Sequence, residues 1–314
     1  MELTRFENYR KNVVENCSKV IVGKEEEILS LLICFVCSGH VLLEDVPGTG
    51  KTMLLRAFAK TIGGDFKRVQ FTPDLLPSDL TGIHFFNQKI SDFEFRPGPL
   101  FTNIVLADEI NRATPRTQSS LLEAMEEFQI TVDGTTFPLD NPFMVMATQN
   151  PLESYGTFPL PDAQMDRFFM RMSLGYMTRA QELSVLKRES TIDIIDGLEQ
   201  AVVCADTNYV RTVFTKTKVT DDVAGYMMDI VLATRSDDRF AVGISTRGAK
   251  ALYRASQACA ALNGRDYVMP EDVKIVAPHV LAHRLSIGGS IRSEDNVEAV
   301  IQLLRKIPVP LEER

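Results

Sequence analysis

Residues 41–52 read Val-Leu-Leu-Glu-Asp-Val-Pro-Gly-Thr-Gly-Lys-Thr, an apolar strand that runs directly into a glycine-containing turn. Backbone N–H groups of such a turn converge on an anion, and the helix that follows adds its positive N-terminal end. Lys51 would reach the terminal phosphates of a nucleotide, and the Thr52 hydroxyl would bind Mg²⁺. The usual pattern places its first glycine where this chain has Asp45. The predicted nucleotide contacts are Val46, Pro47, Gly48, Thr49, Gly50, Lys51, Thr52 and Met53.

A second apolar strand ends in two adjacent acids. Residues 103–109 read Asn-Ile-Val-Leu-Ala-Asp-Glu. We expect Asp108 to complete the metal shell through water, and Glu109 to polarise the water that attacks the γ-phosphate. An acidic pair after a strand also suits a turn or a helix cap, but the phosphate loop upstream favours the catalytic interpretation.

Three more polar residues follow in an informative order. Asn150 comes after the apolar strand Phe143–Thr148, and a strand lying between the first two would bring its amide near the γ-phosphate to orient water. Arg167 and Arg247 come later, and a lone arginine is usually a solvated surface charge. Phosphoryl transfer needs positive charge near the γ-phosphate, which favours a catalytic role for both. The predicted catalytic residues are Glu109, Asn150, Arg167 and Arg247.

Longer strings between these motifs carry a family resemblance. They are VQFTPDLLPSDLTG (69–82), FEFRPGPL (93–100), ADEINRA (107–113), QSSLLEAMEE (118–127), TVDG (131–134), ATQNP (147–151) and AQMDRF (163–168). With them, the chain from about Val20 to its end resembles the MoxR family of AAA+ ATPases, in the clade with an insertion in the second helix. A general P-loop ATPase would share the phosphate loop and the acids, but not these strings.

The resemblance implies a role for each polar residue. Asn150 would be sensor 1, Arg167 the arginine finger that acts on the nucleotide of a neighbouring subunit, and Arg247 sensor 2, acting within its own subunit. It further implies Mg²⁺-dependent ATP hydrolysis, with ATP or ADP bound, by a homo-oligomeric ring that is expected to be a hexamer. Family members do chaperone-like work on client proteins, often with a von Willebrand factor A-domain partner.

The pattern of strands and helices predicts an α/β fold, the AAA+ P-loop core by resemblance. The predicted strands are Gly39–Leu43, Arg68–Phe71, Ile104–Ala107, Phe143–Thr148 and Phe168–Ser173, which form a mostly parallel five-stranded sheet with the nucleotide at its carboxyl edge. Residues 1–175 are assigned to the nucleotide-binding α/β domain, and residues 176–314 to a small all-helical lid.

Two predicted hairpins interrupt the α/β pattern. One joins Ile83–Phe86 to Phe93–Phe95, and the other turns at Asp133-Gly134. Both are expected as insertions of the first domain. They are either decoration of the fold or elements that project toward a central pore or a partner.

Composition narrows the class of protein. The net charge of −8 argues against a general nucleic-acid binder. The N-terminus lacks the apolar core of a signal peptide, and the longest apolar run, Ile28–Cys37, is about half of a membrane span, so we expect a cytoplasmic enzyme with no membrane span. Cys34 and Cys37 lie within that run and are interpreted as core residues, while His279 and His283 lack the glutamate of a metalloprotease motif.

Two alternatives to a client-remodelling ATPase stay open. The first is a nucleotide-gated scaffold with little turnover, although Glu109, Asn150 and Arg167 would then serve no purpose. The second is a chelatase-type motor subunit or a DNA-acting motor of the same clade. The acidic balance of the chain weighs against DNA.

Overall fold

Helices and strands alternate through the first part of the chain. The computed structural model describes residues 1–45, 48–149, 156–188, 191–287 and 293–310. Its elements up to residue 172 are α1 (Leu3–Ser18), α2 (Glu25–Val36), β1 (Val41–Glu44), α3 (Lys51–Ile62), β2 (Phe66–Gln70), α4 (Pro77–Thr81), β3 (Gly82–Asn87), β4 (Asp92–Pro97), β5 (Ile104–Asp108), α5 (Pro115–Glu127), β6 (Gln129–Val132), β7 (Thr135–Pro138), β8 (Met144–Gln149), α6 (Asp162–Met165) and β9 (Met170–Met172).

Five of these strands form one parallel sheet in the order β2-β5-β8-β1-β9. The predicted parallel α/β fold is confirmed, and β8 does lie between β1 and β5 as the sequence predicts. Because all five strands run the same way, the loops after them gather at one edge of the sheet and the loops before them gather at the other.

The three inner strands of the sheet, β5, β8 and β1, are buried on both faces, which explains their continuous apolar sequences. Val41 and Leu43 of β1 pack in a core with α2 and α3, whereas Leu42 between them packs in a second core with α5. The first core continues into the helices that follow β9. The sheet therefore supports a helical layer on each side, and its two edges remain available for polar loops.

In the described residues after β9, the secondary structure is helical apart from one short strand pair. Its elements are α7 (Arg179–Leu186), α8 (Thr191–Asp196), α9 (Cys204–Val213), α10 (Asp221–Ser236), β10 (Phe240–Val242), α11 (Thr246–Leu262), α12 (Pro270–Leu281), β11 (Ser286–Ile287) and α13 (Ser293–Lys306). The predicted helical lid is confirmed. The antiparallel pair β10-β11 was not predicted, because strands of three and two residues are too short to leave a periodic pattern.

Both predicted hairpins are present, as β3-β4 and β6-β7. Asp133 and Gly134 have φ values of 50° and 81°, the positive values that a two-residue turn of this kind requires. Phe95 of the first hairpin stacks on Phe137 of the second, with ring centroids 4.3 Å apart. Beyond this stack, Phe86 and Phe93 are 53% and 67% exposed, so the outer end of β3-β4 presents aromatic surface to solvent.

The N-terminal helices contact both the sheet layer and the lid. Arg5 Nε of α1 donates to Asp206 Oδ1 of α9 at 2.6 Å, and Arg254 Nη2 of α11 donates to the carbonyl oxygen of Cys37 at 3.1 Å. The domain boundary at residue 175 stays a prediction. In the described parts of the chain, no helix is long and apolar enough to cross a membrane.

His40, the residue before β1, links β8 to α5. Its Nδ1 accepts the Val145 N–H at 2.9 Å, and its Nε2 lies 2.9 Å from the carbonyl oxygen of Met125. Complete burial lowers the pKa of His40 to about 4, although the Met125 carbonyl opposes this shift. The neutral ring with its proton on Nε2 satisfies both bonds, so the fold requires the uncharged form.

We predict that His40 makes the protein less stable as the pH falls. In the unfolded chain a histidine titrates near 6.5, so between that pH and about 4 the unfolded state binds the extra proton and gains population. The stabilisation is complete above about pH 6.5 and is lost as the pH falls toward 4. Between about pH 7 and pH 5 the loss should be roughly 2 kcal/mol.

Urea unfolding of the wild type, His40→Gln and the control His84→Gln at both pH values checks this prediction. His40→Gln should be less stable at neutral pH, because the ring no longer bridges Met125 and Val145, but it should show the smaller pH dependence. Equal pH dependence in the wild type and His40→Gln would contradict it.

Candidate active site

The turn between β1 and α3 has the backbone of a phosphate-binding loop. Gly48 and Gly50 have φ values of 89° and 88°, and Gly50 forms the N-terminal boundary of α3. A Cβ at Gly48 would meet nothing within 4 Å, so glycine is required there by backbone conformation and not by space. The first N–H groups of α3 are directed at the same turn. Val46 and Pro47 lie outside the described residues.

Thr148 of β8 fixes the two adjacent acids at the end of β5. Its hydroxyl donates to Asp108 Oδ1 at 2.7 Å and accepts the Glu109 N–H at 2.8 Å. Glu109 has a φ of 57°, a left-handed conformation that is uncommon outside glycine and that turns the chain sharply after the strand. Asn150 directly follows β8 and lies outside the described residues, so its role stays a prediction.

The phosphate loop and the two acids line one cavity of about 450 Å³. It is lined by Asp45, Gly48, Gly50, Lys51, Thr52, Met53, Arg56, Arg68, Gln70, Asp108, Glu109 and Thr148. The structure thus brings five of the predicted nucleotide contacts together with the two acids Asp108 and Glu109, whose predicted roles are metal ligand and base. The five contacts are Gly48, Gly50, Lys51, Thr52 and Met53. Thr49 lies within the same turn.

Two polar side chains of β2 bind the acids, and sequence reasoning missed both. Arg68 donates to Asp108 Oδ2 from Nε at 3.1 Å and from Nη2 at 2.6 Å. Gln70 Nε2 donates to Glu109 Oε2 at 2.8 Å, and Arg112 Nη1 donates to the same oxygen at 3.1 Å. Arg68 and Gln70 are two residues apart on a strand and therefore share a face. Two polar residues on one face of a strand that pairs with the acid-bearing strand were the sequence signal for these contacts.

The donor set fits Mg²⁺ bound together with a nucleotide. The Thr52 hydroxyl and the Asp108 carboxylate line one cavity, and Mg²⁺ prefers one or two protein oxygens plus water and phosphate oxygens. The guanidinium of Arg68 on Asp108 shows that this carboxylate already attracts a cation. Among the described residues, no group of three or more His, Cys, Asp or Glu side chains could hold a metal by itself.

Arg167 and Arg247 line a cavity of about 490 Å³, not the one that contains the phosphate loop. Its lining residues are Cys37, Ser38, Gly39, His40, Met125, Glu126, Phe128, Asp166, Arg167, Phe169, Thr246, Arg247, Lys250, Ala251, Arg254 and Arg284. We call this cavity the arginine pocket. Residues 38–40 directly precede β1, and Phe169 directly precedes β9, so the arginine pocket lies at the amino edge of the sheet.

In this structure Arg247 does not line the cavity of its own phosphate loop, and its role toward a nucleotide stays a prediction. The phosphate loop follows β1 and the arginine pocket precedes it, so the length of the strand separates them. A strand of four residues spans about 13 Å. Arg247 and Arg167 are brought together with each other, and neither lines the cavity with Lys51.

Glu126, near the end of α5, binds both arginines. Arg247 Nη2 lies 2.6 Å from Glu126 Oε1, and Arg167 Nε lies 3.3 Å from Glu126 Oε2. All three side chains are about one third to one half exposed, so the carboxylate holds two guanidinium groups side by side at the surface. Sequence reasoning missed Glu126, because it is one of several acids on an amphipathic helix.

A buried arginine of the lid fixes the segment that carries Arg167. Arg284 Nε donates to Asp166 Oδ1 at 2.7 Å, and its Nη2 donates to the carbonyl oxygen of Phe168 at 2.7 Å. Burial lowers the pKa of Arg284 while Asp166 opposes that shift. The Ser245 hydroxyl, at the start of α11, donates to Asp166 Oδ2 at 3.3 Å. Asp166 therefore links the Arg167 segment to the helix that carries Arg247.

The remaining candidate groups of the sequence are buried, apart from His279, which is partly buried. Cys34 and Cys37 are buried in α2 and its C-terminal boundary, and burial raises the pKa of the Cys37 thiol to about 12. His283 is buried, with Nε2 2.9 Å from the Phe168 carbonyl oxygen, and burial lowers its pKa well below the usual range. Burial also lowers the pKa of His279. His283 therefore contacts the segment that carries Arg167.

The chain is similar to known ATPases over most of its length. The family profile described as "ATPase family associated with various cellular activities" matches residues 40–170, and an "AAA lid domain" profile matches residues 232–304. Chaperone MoxR1 of Mycobacterium tuberculosis is 37% identical over 93% of this chain and 80% of its own, and Protein MoxR of Paracoccus denitrificans is 32% identical over 93% of each. A crystal structure from Cytophaga hutchinsonii, described provisionally as an ATPase, superposes with a TM-score of 0.90 and 40% identity, covering 99% of this chain and 97% of the other.

Proposed function

Because the chain belongs to the MoxR family of AAA+ ATPases, we propose that it hydrolyses ATP in a Mg²⁺-dependent reaction at a site shared by two subunits of a ring. The observation that carries the proposal is the separation of the phosphate loop from Arg167 and Arg247 across one parallel sheet. A subunit that contains both halves at opposite edges can present one half to each of its neighbours.

Hydrolysis, as opposed to nucleotide binding alone, is supported by the position of Glu109. Its carboxylate lines the cavity of the phosphate loop and is fixed by Gln70, while its backbone is fixed by Thr148. In the proposed reaction Lys51 binds the terminal phosphates, and Glu109 accepts the proton of the attacking water. The Thr52 hydroxyl and the Asp108 carboxylate would hold Mg²⁺, which would supply positive charge to the phosphate oxygens. Asn150 would orient the water.

The second half of the site would come from the arginine pocket of the adjacent subunit. Glu126 holds Arg167 and Arg247 side by side, so both could approach the same γ-phosphate. A phosphate carries more negative charge than one carboxylate and can compete for the two guanidinium groups. In this proposal sensor 2 acts in trans together with the arginine finger. Turnover is then a property of the assembled ring, which we expect to be a hexamer in the cytoplasm.

The work of the ring would be chaperone-like remodelling or maturation of a client protein. Support comes from the relative named Chaperone MoxR1 and from the exposed aromatic end of the β3-β4 hairpin. A von Willebrand factor A-domain protein is the partner class expected from the family resemblance.

Glu109→Gln should bind ATP with nearly wild-type affinity and hydrolyse it slower by on the order of 10²–10⁴-fold, because the amide cannot accept the proton of water. Lys51→Ala should instead lose ATP binding, because the phosphates lose their cation. Nucleotide titration and phosphate release measure the two effects, and the exposed Glu182→Gln on α7 is the control. Near wild-type turnover by Glu109→Gln would show that Glu109 is not the base.

Arg247→Ala should affect ATP affinity only when subunits are assembled. In dilute solution, where the chain is monomeric, ATP and ADP should bind as in the wild type, because Arg247 lies at the far edge of the sheet. In the assembled state ATP should bind more weakly by about 1–3 kcal/mol, with a smaller effect on ADP. Fluorescent nucleotide titrations at two protein concentrations check this, with the exposed Lys11→Ala as control. An equal loss of ATP affinity in the monomer would show that Arg247 acts on the nucleotide of its own subunit.

A further inference from the structure

Asp45 occupies the phosphate-loop position where the usual motif has glycine. Both oxygens of its carboxylate accept hydrogen bonds from other residues of this chain. Asp45 is 5% exposed. Its Oδ1 accepts the Ser173 hydroxyl at 2.7 Å and the Gly175 N–H at 3.0 Å, and its Oδ2 accepts the Leu174 N–H at 2.6 Å. One buried carboxylate therefore accepts three hydrogen bonds. Hydrogen bonds to a charged acceptor are stronger than those between neutral groups.

All three donors belong to the segment that leaves the sheet for the lid. Residues 173–178 join β9 to α7, and we call them the connector. The last paired residues of β1 and β9 are Leu43 and Met172, so the carboxylate of Asp45 extends the attachment past the end of the strands. Glu44 and Arg171 form a second polar contact between the same strands, with Arg171 Nη1 3.5 Å from Glu44 Oε2.

The main chain of Asp45 faces the nucleotide site. Its carbonyl oxygen accepts a hydrogen bond from Lys51 Nζ at 3.1 Å. Lys51 must redirect this ammonium group to bind a phosphate, so nucleotide binding changes the contacts of Asp45 directly. Phosphate binding itself gains nothing from a carboxylate, since two anions repel each other. The presence of an acid at position 45 is therefore explained by its hydrogen bonds to the connector and not by phosphate binding.

We propose that Asp45 is a positioning residue that transmits the occupancy of the phosphate loop to the connector and so to the lid. One end of the residue contacts Lys51, and the other end fixes the first three residues after β9. The coupling rests on the proposed ATP binding at Lys51. The contact between Asp45 and the connector is an observation that stands apart from the proposed ATP binding.

Asp45→Gly restores the usual motif and is the decisive variant. It should bind ATP within about threefold of the wild type, because the glycines and Lys51 of the loop are retained. The amides of Leu174 and Gly175 should exchange with solvent about 10- to 100-fold faster without nucleotide, because both lose a charged acceptor. In the wild type, a saturating non-hydrolysable ATP analogue should change the exchange of the α7 amides. In Asp45→Gly that change should disappear although the analogue is bound.

Two further variants separate the charge from the shape. Asp45→Asn keeps the size of the side chain but offers only one acceptor oxygen, so its effects should be intermediate. Ser173→Ala removes one donor without touching the phosphate loop, and it should retain the response of α7 to the analogue. Unchanged exchange of Leu174 and Gly175 in Asp45→Gly, or a full α7 response in that variant, would overturn the proposal. Failure of the wild type to bind ATP in a direct titration would instead overturn the proposed function, and the coupling with it.

Discussion

The parallel direction of the five central strands is the constraint on which the rest of the structure depends. It gathers the phosphate loop, Asp108 and Glu109 at the carboxyl edge, and the segments before β1 and β9 at the amino edge. Arg167 and Arg247 belong to the second group and line a different cavity from the phosphate loop of their own subunit. A ring of identical subunits resolves this separation, because the carboxyl edge of one copy can face the amino edge of the next.

At both edges of the sheet, the candidate catalytic residues are positioned by hydrogen bonds and ion pairs within the protein. At the carboxyl edge, Asp108 and Glu109 are bound by Thr148, Arg68 and Gln70. At the amino edge, Glu126 binds the side chains of Arg167 and Arg247. Arg284 binds the backbone next to Arg167, at Phe168. Catalysis by positioned charge requires such support, because groups that must reorganise during the reaction contribute less. The lid supplies Arg284 and Arg247 together, so lid position and arginine position are mechanically linked.

Much of this organisation could be predicted from the sequence. The apolar runs before Lys51, Glu109 and Asn150 predict three neighbouring parallel strands, because a strand buried on both faces leaves a continuous apolar signal. The Asp133-Gly134 turn predicts a hairpin, because few residues accept its backbone angles. The edge on which Arg247 lies could not be predicted, because it depends on how α11 packs against the sheet. Glu126 and Asp45 were missed as partners because their contacts join segments far apart in sequence.

Mixing two inactive variants tests the shared site most directly. Arg167→Ala subunits retain Glu109, and Glu109→Gln subunits retain Arg167, so some interfaces of a mixed ring contain one intact base facing one intact arginine. If the site is shared, the mixture should recover part of the ATP turnover that each variant lacks alone, since an arginine finger can supply about 10³–10⁵ in rate. Arg167→Ala mixed with the double variant Glu109→Gln/Arg167→Ala is the control and should stay inactive. No recovery in the first mixture, at concentrations where mixed rings form, would contradict the account and place the arginine's action within its own subunit.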